Sequence, residues 1–295
     1  MGGLRWTHKA TRNLALALRR RGVSITHVTV GRLLREMKYS LRTNRKRQAK
    51  TNDPDRDQQF RLLARRRRRF QCEKCAVISI DCKKKELLGN FKNPGRTWRR
   101  HARDVFDHDF PSWADGRAIP FGVYDIELNE GFVVVGISRE TSAFVIKAIR
   151  SWWLAVGRHK YREAKRLLIE CDCGGGNGPR IWAWKVGLQQ LADEFGLTIT
   201  VGHFPPGASK WNLIEHRMFS LISANWAGEP LTSYEVVLKY IRATRLTTGF
   251  RCRAKLDKSR YPKKAIITDD QKAAVQLTPG RVLPKWNYTI RPRKR

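Results

Sequence analysis

Acidic residues, cysteines and long apolar runs are all scarce in this chain of 295 residues. Against 60 Lys and Arg it holds only 26 Asp and Glu, a formal net charge of +34 that favours a polyanionic partner such as nucleic acid. No apolar run approaches the roughly 18 to 20 residues of a membrane span, and the amino terminus lacks the apolar core of a secretory signal. We therefore expect a soluble, intracellular protein with no membrane partner.

The six cysteines are too few for a disulfide framework and fit a reducing compartment. Cys72 and Cys75 form a CxxC, but a structural zinc site needs a second ligand pair at similar spacing. The other four cysteines supply only a CxC and two single residues. We expect incidental thiols rather than a zinc site.

The basic residues are concentrated at the amino terminus, where residues 1–70 hold 21 Lys and Arg against four acids. Residues 7–21 predict a helix that Gly22 ends. A second helix is predicted over residues 25–40, with Ser24 as its N-cap. The residues expected to face inward from the second helix are Val28, Leu33, Leu34 and Met37.

Two short helices joined by a tight turn are typical of a helix-turn-helix, whose second helix enters the major groove of DNA. The alternative is a small basic helical hairpin that reads no sequence. Because the surrounding charge is so basic, we favour a DNA-binding module over residues 1–50. The residues expected to contact DNA from this module are His27, Thr29, Arg32, Arg45, Lys46 and Arg47.

Residues 51–75 predict a basic linker that becomes a helix. Its five consecutive arginines, residues 65–69, are either a solvated face or a phosphate-contacting segment. Next to a predicted DNA-binding module we favour phosphate contacts, with Arg66 and Arg67 among them, and strongly salt-dependent binding.

From residue 76 the apolar pattern becomes that of strands. AVISID and ELLGNF predict a hairpin, residues 91–129 a long irregular excursion, and residues 131–138 a third strand. Helices over residues 141–157, 179–196 and 209–226 then alternate with the strands RLLIECD and LTITVGHF. This order predicts a mixed sheet flanked by helices, as in ribonuclease H-like nuclease folds.

Three acids fall at corresponding places in that fold. Asp81 ends the first strand, Asp172 ends the fourth, and Glu215 lies in the helix after the fifth. Carboxylates brought together in this way hold divalent metals, which prefer hard oxygen ligands. The structural alternatives are a turn cap paired with lysines for Asp81, a tight strand-to-helix turn for Asp172, and an exposed helical acid for Glu215. Asp125 is a weaker rival for the first acid.

Several polar residues near these acids are candidates for supporting roles. Asn212 precedes Glu215 by three residues and so shares its helical face. His203 and His216 are expected to orient a phosphate or the leaving strand, with packing or surface roles as the alternative. Asn177 and Lys210 are expected to contact the DNA backbone.

Four stretches resemble the Rhodopirellula-type DDE transposases of bacterial insertion sequences. They are ISIDCKKKELLGNFKNPGR, FGVYDIELNEGFVVVGISRETSAF, the long run from CDCGGGNGP through HFPPGASKWNLIEHRMFS, and KWNYTIRP. The resemblance covers nearly the whole chain. It implies an integrase-like, ribonuclease H-like α/β catalytic domain over residues 76–250, preceded by a small all-α helix-turn-helix module and followed by a basic extension over residues 251–295. Members of this family begin further upstream, so it also implies a module truncated at its amino terminus.

The same resemblance implies that Asp81, Asp172 and Glu215 are a DDE triad binding two Mg²⁺ ions, with Mn²⁺ as a substitute. It implies metal-dependent cleavage and transfer of double-stranded DNA, both element ends and target, by a homo-oligomer at the nucleoid of the bacterial cytoplasm. Cys82, Gly176 and Ala208 replace residues usual in the family. An inert DNA-binding remnant therefore stays an alternative, as does a structure-specific DNA nuclease of the same fold.

Overall fold

The computed structural model describes residues 7–42, 53–208, 211–263 and 265–293. The chain divides into two units, Met1–Ala49 and Lys50–Arg295. Over the described residues, no helix is both long and apolar enough to cross a membrane.

The first unit is built on two helices, α1 (Thr11–Arg19) and α2 (His27–Glu36). Thr26, not Ser24, caps α2, because its hydroxyl accepts a hydrogen bond from the Thr29 amide at 3.2 Å. The expected inner face was wrong at Val28, which is 67% exposed, and Leu33 and Met37 are exposed as well, although both line a cavity with α1. Val30 is buried instead, because a helix that begins at His27 turns Val30 toward α1.

The second unit begins with α3 (Arg56–Cys72), which contains the five consecutive arginines. One face of α3 lies on strands of the sheet, where Leu62, Leu63 and Phe70 are buried. Arg65 and Arg68 lie on the exposed side of α3. The charge run is therefore divided: Arg65, Arg68 and Arg69 lie on the exposed side of a helix that covers the sheet, and Arg66 and Arg67 are partly buried.

The second unit is organised by a nine-stranded mixed sheet in the order β7-β4-β3-β1-β5-β6-β9-β8, with β2 paired to β3. The strands are β1 (Ala76–Cys82), β2 (Glu86–Leu88), β3 (Gly116–Asp125), β4 (Glu130–Gly136), β5 (Arg166–Cys171), β6 (Thr198–His203), β7 (Arg251–Asp257), β8 (Leu277–Pro279) and β9 (Asn287–Ile290). β3 runs antiparallel to β1 and β4, while β1, β5 and β6 are parallel. This central arrangement confirms the predicted ribonuclease H-like fold.

Helices cover both faces of the sheet. One face packs against α4 (Ser142–Trp152) and α6 (Trp182–Phe195), around the buried side chains of Phe121, Phe144 and Trp184. The opposite face packs against α3, α7 (Ser220–Asn225) and α8 (Tyr234–Ala243). A short helix, α9 (Asp269–Ala273), precedes β8. Two separate apolar layers thus hold the sheet between them, as expected for a mixed sheet with helices on both sides.

The predicted hairpin between AVISID and ELLGNF was wrong. β1 pairs with β3, and the three-residue β2 pairs with β3 as well. The sequence predicts an irregular excursion over the β3 residues because Gly116, Pro120 and Gly122 interrupt the strand pattern. A Cβ at Gly122 would collide with the side chain of Met218, so glycine lets the following helix approach the sheet closely.

The helix predicted over residues 141–157 begins as expected, because Thr141 caps it. It does not end at Gly157. The backbone continues through a π-helical segment, Trp153–Gly157, and ends in α5 (Arg158–Lys160). A glycine whose neighbours all keep helical dihedrals weakens a helix without ending it.

The carboxy-terminal residues, predicted to be an extension, contribute three strands to the sheet. β7 pairs in parallel with β4 at one edge, and β9 pairs antiparallel with β6 toward the other. The sheet therefore continues well beyond residue 250.

Candidate active site

Asp81 and Asp172 lie at the same end of two neighbouring parallel strands. β1 and β5 pair with Ile80 opposite Cys171, and each acid follows directly in its own chain. The carboxyl ends of parallel strands meet at one edge of a sheet, where open α/β folds place their ligands. The predicted meeting of these two acids is present in the structure.

The carboxyl group of Asp81 is buried and hydrogen-bonded on both oxygens. The Cys82 amide donates to Oδ1 at 2.7 Å, and the Asn212 side chain donates to Oδ2 at 3.3 Å. Burial, followed by the negative charge of Asp172 and then by that of Glu215, raises the pKa of Asp81 from 3.8 to about 8. The three acids are therefore close enough to act on one another electrostatically.

Asp172 is held through its main chain as well as its side chain. The Gly174 amide donates to Oδ1 at 3.1 Å, and Asn177 donates to the same oxygen at 3.4 Å. The buried Asn177 also donates to the Asp172 carbonyl at 3.3 Å. The glycine-rich turn therefore fixes the direction of this carboxylate.

Glu215 begins a π-helical segment, Glu215–Phe219, that runs directly into α7. Such segments are frequent at functional sites because the wider turn redirects side chains. Burial raises the pKa of Glu215, while the positive charges of Lys83 and His216 oppose the rise. His216 is exposed and borders the same groove as Glu215.

Asn212 joins the helix of Glu215 to the strand of Asp81. Its amide nitrogen donates to the Ile80 carbonyl at 3.1 Å, and its oxygen accepts from the buried Ser79 hydroxyl. The same hydroxyl accepts a hydrogen bond from the Ile214 amide at 3.2 Å. The supporting role predicted for Asn212 is therefore matched by direct contact with Asp81.

A buried chain of hydrogen bonds reaches Asp172 from the opposite side. Trp184 Nε1 donates to the Tyr288 hydroxyl at 2.7 Å, and this hydroxyl lies 3.1 Å from His203 Nε2. His203 Nδ1 lies 2.8 Å from the Asp172 carbonyl, which can only accept, so Nδ1 carries the proton and Nε2 accepts from Tyr288. Burial lowers the pKa of His203 to about 4, which keeps the ring neutral.

This geometry makes His203 a structural support rather than a phosphate contact. Both of its ring nitrogens have partners inside the protein, and the residue is fully buried. Its expected role in orienting a phosphate is therefore wrong. The reason is tertiary: β9 pairs with β6 and brings Tyr288 next to the imidazole.

The family model described as the Rhodopirellula transposase DDE domain matches residues 1–292. The chain belongs to this family. Membership confirms the resemblance found in the sequence, while the assignment of Asp81, Asp172 and Glu215 as its triad stays a prediction. No curated protein gives a significant match.

Among solved structures, this DDE domain is similar to complexes of the mariner Mos1 transposase. They are the paired-end complex with left transposon end (15% identity, TM-score 0.49), the strand transfer complex (16%, 0.47) and the paired end complex with Mg (15%, 0.45). Each match covers 79% of this chain and 65%, 64% and 65% of the respective Mos1 chain. This chain thus spans less than two thirds of the length of those relatives.

The donor chemistry of the DDE domain fits a divalent cation. Asp81 is a buried carboxyl whose ionised form is opposed by two other acids, and a cation beside it would remove that opposition. Across the described ranges, no three His, Cys, Asp or Glu side chains lie close enough together to hold a metal ion by themselves. Cys72 and Cys75 therefore belong to no such cluster. Asp81 and Asp172, at the same end of β1 and β5, are the two carboxylates that the sheet brings together, and a metal-binding role for Glu215 beside them stays a prediction.

Two arginines expected to contact DNA have partners inside the protein. Arg67 makes a two-pronged ion pair with the fully buried Glu170, at 2.6 to 3.2 Å, and Arg66 donates to Asn287 at 2.6 Å. The structure uses both guanidinium groups to fasten α3 to the sheet. The expectation that they contact phosphate is therefore corrected, because their donors face the protein interior.

The other predicted residues lie elsewhere in the sheet unit, in the amino-terminal unit or outside the described residues. Asp125 lies at the opposite end of β1, where Tyr161 donates to it at 2.8 Å, so it is not part of the site. Thr29 is hydrogen-bonded to Thr26 at 2.9 Å, and Arg32 pairs with Glu36 on the exposed side of α2. His27 is the first residue of α2 and is exposed. Arg45, Lys46, Arg47 and Lys210 lie outside the described residues.

Lys83 is a contributor to the site that sequence reasoning missed. Its ammonium group is nearly buried, 3.0 Å from Glu86 and 4.5 Å from the centre of the Trp226 ring. Its positive charge also opposes the rise in the pKa of Glu215. Lys83, Lys84 and Lys85 look equivalent in sequence, and only the packing against Trp226 distinguishes the first of them.

Proposed function

We propose that this chain is a DNA transposase that cuts DNA at the ends of an insertion sequence and joins the ends to a target. The observation that carries the proposal is that Asp81 and Asp172 lie at the same end of two paired strands, where burial, and after it the charges of Asp172 and Glu215, raises the pKa of Asp81 to about 8. Three interacting acids at the carboxyl end of a parallel strand pair suit metal-dependent phosphoryl transfer. Membership in a transposase DDE domain family supports the same reaction.

Divalent metal is the cofactor that this donor set suits, and we propose two Mg²⁺ ions, with Mn²⁺ able to replace them. Asp81, Asp172 and Glu215 would hold them. When bound, the metal supplies positive charge that activates water or a 3′-hydroxyl and stabilises the leaving oxygen.

The protein's own groups prepare the acids for this task. Asn212 directs Oδ2 of Asp81, while Gly174 and Asn177 direct Oδ1 of Asp172. Because these donors are fixed before DNA arrives, little reorganisation is needed when charge develops on the phosphate.

Double-stranded DNA, as element ends and as target, is the partner that the charge favours. We propose that α2 reads the element end with His27 and Arg32, and that Arg65 and Arg68 of α3 contact phosphates in place of Arg66 and Arg67. Thr29 serves mainly to close the cap of α2. Joining two element ends requires two active sites, so we propose a homo-oligomer on DNA.

The test uses end-labelled duplexes that carry the DNA flanking the gene, incubated with the full chain and Mg²⁺, with EDTA, or with the Asp172→Asn variant. We expect Mg²⁺-dependent nicking at the element boundary, and joined products when target DNA is added. Both should vanish with EDTA and with the variant. Nicking without joining would indicate a nuclease, and DNA binding without nicking in any divalent metal would indicate an inert remnant.

A further inference from the structure

Residues 92–103, between β2 and β3, form a basic surface segment that we call the arm. The arm holds five Lys and Arg and no acid, and every residue in it except Asn93 is exposed. At its centre Trp98 is 104% exposed, so its ring lies entirely in solvent. A single exposed apolar residue is ordinary, but an indole among arginines is the combination that binds nucleic acid strands.

The arm is held in place by hydrogen bonds to the turn after α7. Asn93 Nδ2 donates to the carbonyls of Trp226 at 2.9 Å and Glu229 at 3.1 Å, and the Gly228 amide donates to the Pro94 carbonyl at 3.0 Å. The arm is therefore fixed to the far end of the helix that begins with Glu215.

The arginines of the arm divide into two pairs. Arg99 and Arg103 both form ion pairs with Glu229, which fastens the arm further. Over the part of the chain that the structure describes, Arg96 and Arg100 form no ion pair and make no hydrogen bond. Trp98 thus stands between two cations that have no anionic partner among the described residues.

Two spaces with lysines in their walls lie between the acids and the arm. A groove of about 580 Å³ beside Glu215 is lined by Lys83 and Lys84 and follows the helix as far as Ser223. A second cavity, of about 190 Å³, is lined by Lys84, Lys85 and Lys92 at the base of the arm, together with the acids Glu86 and Asp109. Lys84 lines both spaces.

The length of this path can be compared with DNA. Glu215 and Asn225, at the two ends of the helical stretch, are about 15 Å apart at 1.5 Å per residue. One DNA strand advances about 3.4 Å per nucleotide, so the arm begins about four to five nucleotides from the acids along a strand.

We propose that the arm binds the DNA strand that leaves the catalytic acids, with Arg96 and Arg100 on its phosphates and Trp98 stacked on an unpaired base. This inference rests on the proposed transposase function. A second copy of this chain is a poorer occupant, because the arm has no acid and the chain carries a net charge of +34.

The experiment measures equilibrium binding of the full chain to a fluorescein-labelled duplex that is either blunt or ends in a short single-stranded tail. The Asp172→Asn variant is the parent, so that no probe is cut, and salt is titrated. Replacing both Arg96 and Arg100 with alanine should lower the slope of log K against log salt by about 2, at about 0.9 per lost contact. Arg162→Ala, an exposed arginine before β5 at the opposite end from Asp172, is the matched control and should leave the slope unchanged.

Trp98→Ala should weaken binding to the tailed duplex by about fivefold to a hundredfold, the range of one base–aromatic stack, and leave the salt slope unchanged. Trp98→Phe should restore most of the loss, because phenylalanine keeps an aromatic face. With 2-aminopurine about four to five nucleotides from the duplex end, the parent should quench its fluorescence and Trp98→Ala should not.

The outcomes distinguish failure of the arm inference from failure of the transposase proposal. If the parent binds DNA and the arm variants bind equally well with equal slopes, the arm inference is overturned while the transposase proposal stands. If the arm variants change only sedimentation, the arm is a contact between copies and the inference is again overturned. If the parent binds neither probe, both proposals fail. Unchanged thermal unfolding of each variant shows that the fold is intact, since all three side chains are exposed.

Discussion

Asp81 combines a buried position with two negatively charged neighbours, which makes its ionisation costly. Because its pKa is about 8 in the folded protein against 3.8 for the ordinary group, the folded state binds a proton between these values that the unfolded state has released. Stability without metal should therefore fall as pH rises from about 4 to about 8. A cation bound beside Asp81 would favour the ionised form of this acid.

This gives a prediction for the metal-free protein. In EDTA, the melting temperature should decline across that pH range, and the Asp81→Asn variant should show a smaller decline because asparagine does not titrate. Adding Mg²⁺ should raise the melting temperature of the wild type at pH 8 and that of the variant much less. Scanning calorimetry over a pH series measures both, and equal pH dependence in the two proteins would contradict the assignment.

The hydrogen-bond chain behind Asp172 gives a second prediction at this scale. Tyr288→Phe removes the hydroxyl that links Trp184 to His203 and leaves buried polar groups unpaired, at a cost of about 1–3 kcal/mol of stability. Asp172 is then less well directed, so the Mg²⁺ concentration needed for half-maximal cleavage should rise. Metal titrations of cleavage measure this change.

Tyr161→Phe is the matched control, because it removes a hydrogen bond to Asp125 at the other end of β1. It should lower the unfolding free energy while the metal requirement stays at the wild-type value. If Tyr288→Phe behaves in the same way, the chain of hydrogen bonds serves stability alone.

The candidate acids could be found from sequence because each follows a recognisable element, a strand end or the start of a helix. Lys83 and Tyr288 could not be found in that way. Their contributions depend on contacts across 143 and 85 positions of the chain, with Trp226 and His203, which no local pattern encodes. Residues tied to element ends are thus visible in sequence, and residues placed by packing are not.

At the scale of elements, strand β3 was missed because its glycines and proline are those of a turn. Gly122 is needed where the helix of Glu215 presses on the sheet, opposite Asp81 in the ladder. The local pattern therefore fails at the strand that makes room for the active-site helix. At Gly122, the need for the helix of Glu215 to approach the sheet closely outweighs the low strand propensity of glycine.

Helix α3 provides a test at this scale, since its arginines look alike in sequence and differ in the structure. Arg67→Ala leaves the buried Glu170 without its partner and should lower the unfolding free energy by about 3–5 kcal/mol. Arg68→Ala, one position along on the exposed side, should change it by less than about 0.5 kcal/mol. Urea denaturation measures both values.

DNA binding should show the reverse order. Arg68→Ala should reduce the salt slope of binding by about 0.9, the share of one phosphate contact, because its guanidinium is exposed. Similar losses of stability in the two variants would show that the pairing of Arg67 with Glu170 does not hold α3 in place.

At the scale of the whole molecule, the strands of the sheet all lie in the unit Lys50–Arg295, with the carboxy-terminal strands β7 at one edge and β9 and β8 at the other. Over its described residues, 7–42, the amino-terminal unit contains α1 and α2 and contributes no strand. Folding of the sheet and recognition of element ends should therefore be separable properties.

Removing residues 1–49 tests this separation. The remaining chain should unfold cooperatively with a melting temperature close to that of the full protein, since each strand keeps its neighbours. It should still nick DNA with Mg²⁺, because Asp81, Asp172 and Glu215 are all retained, but it should cut element ends and unrelated duplexes at similar rates. A full-length protein with alanine at His27 and Arg32 should show the same loss of preference without truncation. Competition between the two duplexes in one reaction gives the ratio of rates, and a shortened chain that still prefers element ends would place recognition in the sheet unit.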